Sequence, residues 1–329
     1  MDLTTSYLGL KLKNPIIVSS SPLTASAEKA QALEAAGVAA VVVNSIFEEQ
    51  IRDETSQMDE ALAADGSSEA YDYLRANIAM RLGPEKYIDD IRAIKETTSI
   101  PVIASINCIS ADNWVSFARK IEAAGADALE LNLYDIPQDP NETSNAVEER
   151  HLKLVSAIRA EIDLPIAVKL SPYYTNLLNF AHRLDKIGIN GIVMFNRFLQ
   201  PDIDIESETL RHAANLSREQ DLRLPLRWVA ILRNHLRCDI AINSGIHNAE
   251  GVIKGMLAGA NVAYLCSALY HNRDHAALIN GIINNISGWM QRKNYPNLAA
   301  FHSKMCELST DSCKGFERAH YVKILTSQK

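Results

Sequence analysis

Lys169 stands inside an otherwise apolar run, Ile166-Ala167-Val168-Lys169-Leu170. A buried ammonium group is costly unless it meets an acceptor or an anion. The functional reading is a contact to a cofactor or a substrate, and a strand-end lysine reaching solvent is the alternative. Other polar residues close apolar runs in the same way: Ser19, Ser20 and Ser21; Asn44; Ser105 and Asn107; Asn132, Tyr134 and Asp135; Asn196; Asn243, Ser244 and Gly245; and Ser267. The set is rich in amides and hydroxyls and poor in paired carboxylates and histidines. It suits hydrogen bonding to a flat polar heterocycle better than metal-assisted hydrolysis.

The elements that must position these residues follow a repeat. Ala36-Gly37-Val38-Ala39, Ala124-Gly125-Ala126-Asp127, Ile187-Gly188-Ile189-Asn190 and Ala258-Gly259-Ala260-Asn261 each run from a helical stretch into a short apolar strand. The glycine can close the helix in the left-handed conformation. Pro101 and Pro165 open two further strands, a position proline tolerates. The pattern predicts eight strands: Ile16–Ser20, Ala40–Val43, Val102–Ile106, Ala128–Asn132, Ile166–Leu170, Gly191–Asn196, Asp239–Asn243 and Val262–Cys266. Helices are expected over Ser26–Ala36, Ala111–Ala124, Glu148–Glu161, Asn176–Ile187, Leu226–Leu236, Glu250–Ala258 and Asp274–Arg292. Strands this apolar belong in a parallel sheet covered by helices. The expectation is an α/β fold, a single (β/α)8 TIM barrel over residues 1–305, with residues 306–329 as a C-terminal tail; a doubly wound open sheet is the alternative.

Insertions follow strand two (Ser45–Gly83) and strand six (Arg197–Leu224), at the end of the strands where barrel active sites are built. The polar residues above collect at that same end. Loops after strands seven and eight often bind phosphate in barrels, so Ser244-Gly245 and Ser267 are candidates for that role. Glu130, on strand four, is expected to face the helices.

Net charge is −7, from 33 Lys+Arg against 40 Asp+Glu, and no long basic cluster exists, so nucleic acid is not an expected partner. No apolar run has the length of a membrane span, and Met1 to Pro15 shows no apolar leader core. A cytoplasmic protein is expected. The five cysteines (108, 238, 266, 306 and 313) lack metal-ligand spacing, and no metal site is expected. His212, His235, His247, His271 and His302 are expected at surface or capping positions.

The chain resembles the FMN-dependent dihydroorotate dehydrogenases, especially the soluble class 1 branch, and the related flavin domain of dihydropyrimidine dehydrogenase. The resemblance runs nearly end to end. It rests on Leu8-Gly9-Leu10-Lys11-Leu12-Lys13-Asn14-Pro15 as an opening hairpin, Ser20-Ser21-Pro22-Leu23-Thr24 as a flavin loop, Gly125–Leu133 on strand four, Ala167-Val168-Lys169-Leu170-Ser171-Pro172 on strand five, and Leu298–His302 near the end. It implies FMN as cofactor, a small-molecule substrate, a place in pyrimidine biosynthesis and a homodimer. Ser20 and Asn107 would lie beside the isoalloxazine ring, Asn132 and Lys169 would bond its polar edge, and Ser244, Gly245 and Ser267 would hold the phosphate. Asn196 would face flavin and pyrimidine.

Departures from the family pattern are specific. Where class 1 reads Asn-Leu-Ser-Cys-Pro-Asn, this chain reads Asn132-Leu133-Tyr134-Asp135-Ile136-Pro137. Asp135 occupies the position of the base that removes the ring proton, and a carboxylate can serve there; an exposed loop aspartate without a role is the alternative. Asn44 replaces a lysine that contacts flavin and substrate, and the Asn-rich substrate loop is not recognisable in Ser45–Gly83. Asp221–Trp228 replaces a glycine-rich phosphate loop, with Arg223 or Arg227 as substitutes for its contacts. Three readings stay open: dihydroorotate oxidation with Asp135 as acid/base; a flavin oxidoreductase acting on another ring or carbonyl substrate, with Asn44, Tyr134 and Asp135 setting specificity; and a non-catalytic flavin-binding barrel.

Overall fold

A computed structural model describes residues 1–48, 83–107, 114–198, 202–211, 216–306, 322–323 and 325–326. Most of the first insertion, Cys108, Cys313, His212 and most of the C-terminal tail therefore lie outside the described residues.

Eight parallel strands close into a barrel in the order β3 (Ile16–Val18), β4 (Ala40–Val42), β6 (Val102–Asn107), β7 (Ala128–Asn132), β8 (Ile166–Leu170), β9 (Gly191–Met194), β12 (Asp239–Ile242) and β13 (Val262–Leu265), with β13 pairing back to β3. These are the eight strands the repeat predicts, and the doubly wound alternative is set aside. Several end one or two residues earlier than expected, because the chain leaves the ladder at Ser19, Phe195, Asn243 and Cys266 to form the mouth.

Side chains alternate across the barrel wall, as strand geometry requires. Ile17, Ala40, Val42, Ile103, Ala128, Ala167, Val193, Ala241, Val262 and Tyr264 fill the interior, while Val18, Val41, Leu129, Leu131, Val168 and Ile240 meet the helices. The antiparallel hairpin β1 (Thr5–Tyr7) and β2 (Leu10–Leu12) plugs the amino-terminal end. Tyr7 and Leu8 insert there, the Leu8 N–H donates to Asp239 Oδ2 at 2.8 Å, and Tyr7 stands edge-on to Tyr264.

Helices cover the outside: α1 (Ala27–Ala36), α2 (Pro84–Thr97), α3 (Trp114–Ala123), α4 (Ser144–Arg159), α5 (Leu177–Ile187), α6 (Arg223–Leu232), α7 (Ala249–Ala258), α8 (Ser267–His271) and α9 (His275–Arg292). Ser26, Asn176, Asn248 and Asp274 cap their helices through side-chain oxygens. Gly37, Gly188 and Gly259 close α1, α5 and α7 in the left-handed conformation that the sequence repeat anticipates. α4 begins four residues and α6 three residues before the expected start. Their first turns are polar or proline-containing and carry little periodic signal.

β4 pairs with β6 at Val41–Val102 and Val42–Ile103, and the ladder is interrupted beyond Val43. After β4 the chain leaves the ladder at Asn44 and Ser45 and rejoins it as β5 (Ile46–Phe47). Tyr87 of α2 fills the gap: its hydroxyl accepts from Ser105 N–H at 2.7 Å and donates to Ser105 O at 2.8 Å. The second insertion forms a small hairpin of β10 (Asp202–Asp204) and β11 (Thr209–Arg211). Among the described residues, no helix is long and apolar enough to cross a membrane.

Candidate functional site

The register aligns Asn107, Asn132 and Lys169 side by side on β6, β7 and β8. All three are buried and share the carboxyl end of the barrel with Ser19 and Asn243. Lys169 Nζ donates to Ser19 Oγ at 3.4 Å and stands 3.5 Å from Glu130 Oε1. Glu130 therefore points into the barrel, not at the helices as expected. The correction follows from strand period: Glu130 is two residues from Asn132, so both share one face. A carboxylate here is tolerable because Lys169 supplies the counter-charge.

A chain of hydroxyls continues from that pair. Ser105 Oγ donates to Glu130 Oε1 at 3.5 Å, and Ser45 Oγ lies 2.8 Å from both Ser105 Oγ and Ser20 Oγ. Ser45 and Glu130 are members of this mouth that the sequence does not single out. Two acceptors in this layer, Glu130 Oε2 and Asn132 Oδ1, are buried without a hydrogen-bond partner. Such groups cost free energy until a donor reaches them. Asn132 Oδ1 beside the Lys169 ammonium thus offers an acceptor and a donor to one edge of a flat heterocycle.

Lys169 belongs to a cavity of about 140 Å³ that also holds Ser19, Ser20, Asn196, Arg197, Ser217, Ser244, Gly245 and Ser267. Ser244 and Gly245 are consecutive residues with positive φ, +77° and +76°. A Cβ on Gly245 would fall 2.2 Å from Leu222 N, so only glycine fits. Gly245 N–H donates to Ser217 Oγ at 3.2 Å, and Ser217 N–H donates to Ser267 Oγ at 2.9 Å. His247 Nε2 also approaches Ser217 Oγ, at 3.2 Å. Burial lowers the pKa of His247. Ser217 thus occupies the Gly245 N–H and the Ser267 hydroxyl, the groups that would hold an anion in this cup. Neither Ser217 nor this position of His247 was legible in the sequence, because both depend on the path of the second insertion. His302, expected at a surface or capping position, is drawn largely inward and contacts Ala260 O through Nε2 at 3.1 Å.

Asn196 and Arg197 lie at the edge of the same cavity. Asn196 N–H donates to Leu170 O, and Arg197 pairs with Asp221 at 2.9 Å. Arg223 borders a neighbouring cavity of about 310 Å³ that shares Asn196, Arg197 and Ser244 with the first. Asn44 is half-buried beside Ser45, between β4 and β5.

Asp135 lies elsewhere. It borders a third cavity, of about 240 Å³, with His151, Tyr173, Tyr174 and Phe198, and none of its lining residues belongs to the cavity of Lys169. Its Oδ2 accepts from Arg150 Nη2 at 2.5 Å, and Arg150 also pairs with Glu142. The same oxygen stands 3.5 Å from His151 Nε2. Tyr134 and Tyr173 flank Phe198, with ring centroids 6.3 Å and 4.7 Å away. Arg150 and His151 gave no sequence signal, since α4 reaches Asp135 only after the intervening loop folds back. Among the described residues, no group of three or more His, Cys, Asp or Glu is placed to hold a metal ion.

The described geometry fits FMN: an orphaned buried acceptor and an ammonium for the ring edge, and a glycine-dependent cup for the phosphate. Comparison with known proteins points the same way. The model of the dihydroorotate dehydrogenase family matches residues 2–290. The catalytic subunit of dihydroorotate dehydrogenase B (NAD(+)) from Thermoplasma acidophilum is 25% identical over 279 residues, covering 82% of this chain and 88% of that protein. Dihydroorotate dehydrogenase A (fumarate) from Limosilactobacillus reuteri is 28% identical over 281 residues, 80% of this chain and 86% of that protein. The Lactobacillus helveticus protein named dihydroorotate dehydrogenase A (fumarate) is 32% identical over 186 residues, 53% of this chain and 58% of its own. The chain therefore belongs to the dihydroorotate dehydrogenase family.

Proposed function

We propose that this chain is an FMN-dependent oxidoreductase that oxidises a dihydropyrimidine-like ring, with dihydroorotate as the first substrate to test. The observation that carries the reading is the meeting of Lys169, the unpartnered Asn132 Oδ1 and the positive-φ cup at Ser244-Gly245 at one barrel mouth. When bound, FMN supplies the hydride acceptor. The protein's part is to hold and polarise. Lys169 and Asn132 bind the polar edge of the ring, Ser20 and Asn107 flank it, and Gly245 N–H with Ser244 and Ser267 binds the phosphate. An ammonium group in a low-dielectric site stabilises negative charge that develops on the ring edge during reduction.

Asn44 and Asn196 face the substrate in this reading, and Asp135 accepts its proton. Because Asp135 Oδ2 is committed to Arg150, the proton goes to Oδ1. The same proposal includes a homodimer, which light scattering of the purified chain checks, and a cytoplasmic location, which cell fractionation checks.

A second reading keeps the cofactor and changes the substrate to another unsaturated ring or carbonyl compound. Two observations favour it: Asp135 sits with Arg150 outside the Lys169 cavity, and Tyr134, Phe198 and Tyr173 build an aromatic wall at the mouth. Anaerobic mixing of flavin-loaded protein with dihydroorotate separates the two. Bleaching of the visible flavin band supports the first reading. A flavin that stays oxidised with dihydroorotate, yet is reduced by another donor, supports the second.

A further inference from the structure

Glu130 is a buried charge at the barrel mouth that the proposed function leaves unused. The strand register sets it between Ser105 of β6 and Ala167 of β8. Asn107, Asn132 and Lys169 lie two residues further along the same three strands. Residues two apart on a strand share a face, so Ser105, Glu130 and Ala167 form the inward layer directly beneath the layer assigned to the flavin edge. Ala167 contributes only a methyl group there, which leaves room under Lys169. The ammonium reaches down to 3.5 Å from Glu130 Oε1 and sideways to 3.4 Å from Ser19 Oγ. Both contacts are long. The two oxygens hold the ammonium from two sides without either closing on it.

The surroundings leave Glu130 dependent on that one cation. Among the described residues, Lys169 is the only cationic side chain paired with it. The Ser105 hydroxyl donates to Oε1. The phenols of Tyr264 and Tyr87 are fully enclosed, and burial, with a smaller push from the Glu130 charge, raises both pKa values, so they stay neutral. The layer beneath the ring edge therefore carries one positive and one negative charge. In a site shielded from water each acts strongly over a few ångströms. An ammonium alone would favour negative charge developing on the ring. A carboxylate just behind it opposes that effect.

We propose that Glu130 is a positioning residue that sets the electron affinity of the flavin at this mouth. It holds the Lys169 ammonium at the ring edge and cancels part of its charge, so that reduced flavin is stabilised less than by an unpaired lysine. The inference rests on the flavin reading of the mouth and adds to it a residue that need not touch the ring.

Sulfite titration of the FMN-loaded protein tests it. Sulfite adds through sulfur to flavin N5, leaves negative charge at the ring edge and bleaches the visible band without any electron acceptor. The midpoint potential, measured against a reference dye, is the second readout. Glu130→Gln keeps the shape and removes the charge. Sulfite should bind it at least tenfold more tightly than the parent. Reduced FMN should gain at least tenfold in affinity relative to oxidised FMN, a rise of about 30 mV for a two-electron couple. Glu130→Asp retains the charge and should lie closer to the parent than to Glu130→Gln. Glu148→Gln removes a carboxylate that lines the Asp135 cavity and not the Lys169 cavity, and should change neither value. If Glu130→Gln does not fold, Lys169→Met with and without Glu130→Leu gives the same comparison, and the second substitution should raise both sulfite affinity and potential. Values in Glu130→Gln that are unchanged, lowered or matched by Glu148→Gln overturn the inference alone. A parent chain that takes up no FMN overturns the flavin reading and this inference with it.

Discussion

Lys169→Met probes the pair on which the barrel mouth depends. Glu130 is 0% exposed and Lys169 is buried beside it, 3.5 Å away. Removing one partner of a buried ion pair strands the other, which costs about 3–5 kcal/mol. The separation is longer than a tight ion pair, and the carboxylate retains Ser105 as a donor, so the lower end, about 3 kcal/mol, applies. Lys169→Met with Glu130→Leu removes both charges and should lie within about 1 kcal/mol of the parent, because replacing a buried pair by apolar side chains is often neutral or better. The single Lys169→Met variant should then be less stable than the double variant by about 2–3 kcal/mol, well outside the additivity expected of independent sites. Urea unfolding of flavin-free protein, with the denaturant slope unchanged across the four species, measures it. A Lys169→Met variant destabilised by less than about 1 kcal/mol, or a double variant as unstable as the single, refutes the reasoning.

Other consequences are equally concrete. Gly245→Ala places a Cβ 2.2 Å from Leu222 N at a positive-φ position; stability should fall by at least about 1 kcal/mol and FMN affinity by about tenfold or more, read by flavin fluorescence titration. Tyr87→Phe leaves the backbone N–H and carbonyl of Ser105 without their bridge, and chemical unfolding should show a loss of about 1–3 kcal/mol. Burial lowers the pKa values of His151 and His302 below the ordinary 6.5. The unfolded chain therefore takes up protons first as the pH falls: this contribution is complete above pH 6.5 and drains below it, by at most about 1.4 kcal/mol per pH unit for each histidine. Unfolding curves between neutral and mildly acidic pH should show that slope, and His302→Gln should flatten it.

The barrel was legible because burial on both faces makes each strand an apolar run and because glycines 37, 188 and 259 close three of the helices, so Ala128–Asn132 and Ile166–Leu170 are read to the residue. The inward ring was legible in part. Lys169 stands out against its neighbours, and the period of two that selects Asn132 also selects Glu130. The hairpin Asp202–Asp204 and Thr209–Arg211 was not legible, since its strands are short and its Ile203 is exposed, which erases the alternation a buried strand would show. Asp135 illustrates a harder limit. Its type and position suggested chemistry, but its partners Arg150 and His151 come from a helix one loop later, and nothing local to the motif reveals that approach.

In the proposed function, the mouth around Lys169 and Gly245 holds flavin mononucleotide. The direct measurement is the visible spectrum of the purified protein, followed by titration with FMN and mass determination of the released cofactor. One FMN per chain is predicted, with binding weakened by Lys169→Met and Gly245→Ala and unaffected by Glu148→Gln. A colourless protein that takes up no added FMN contradicts the account.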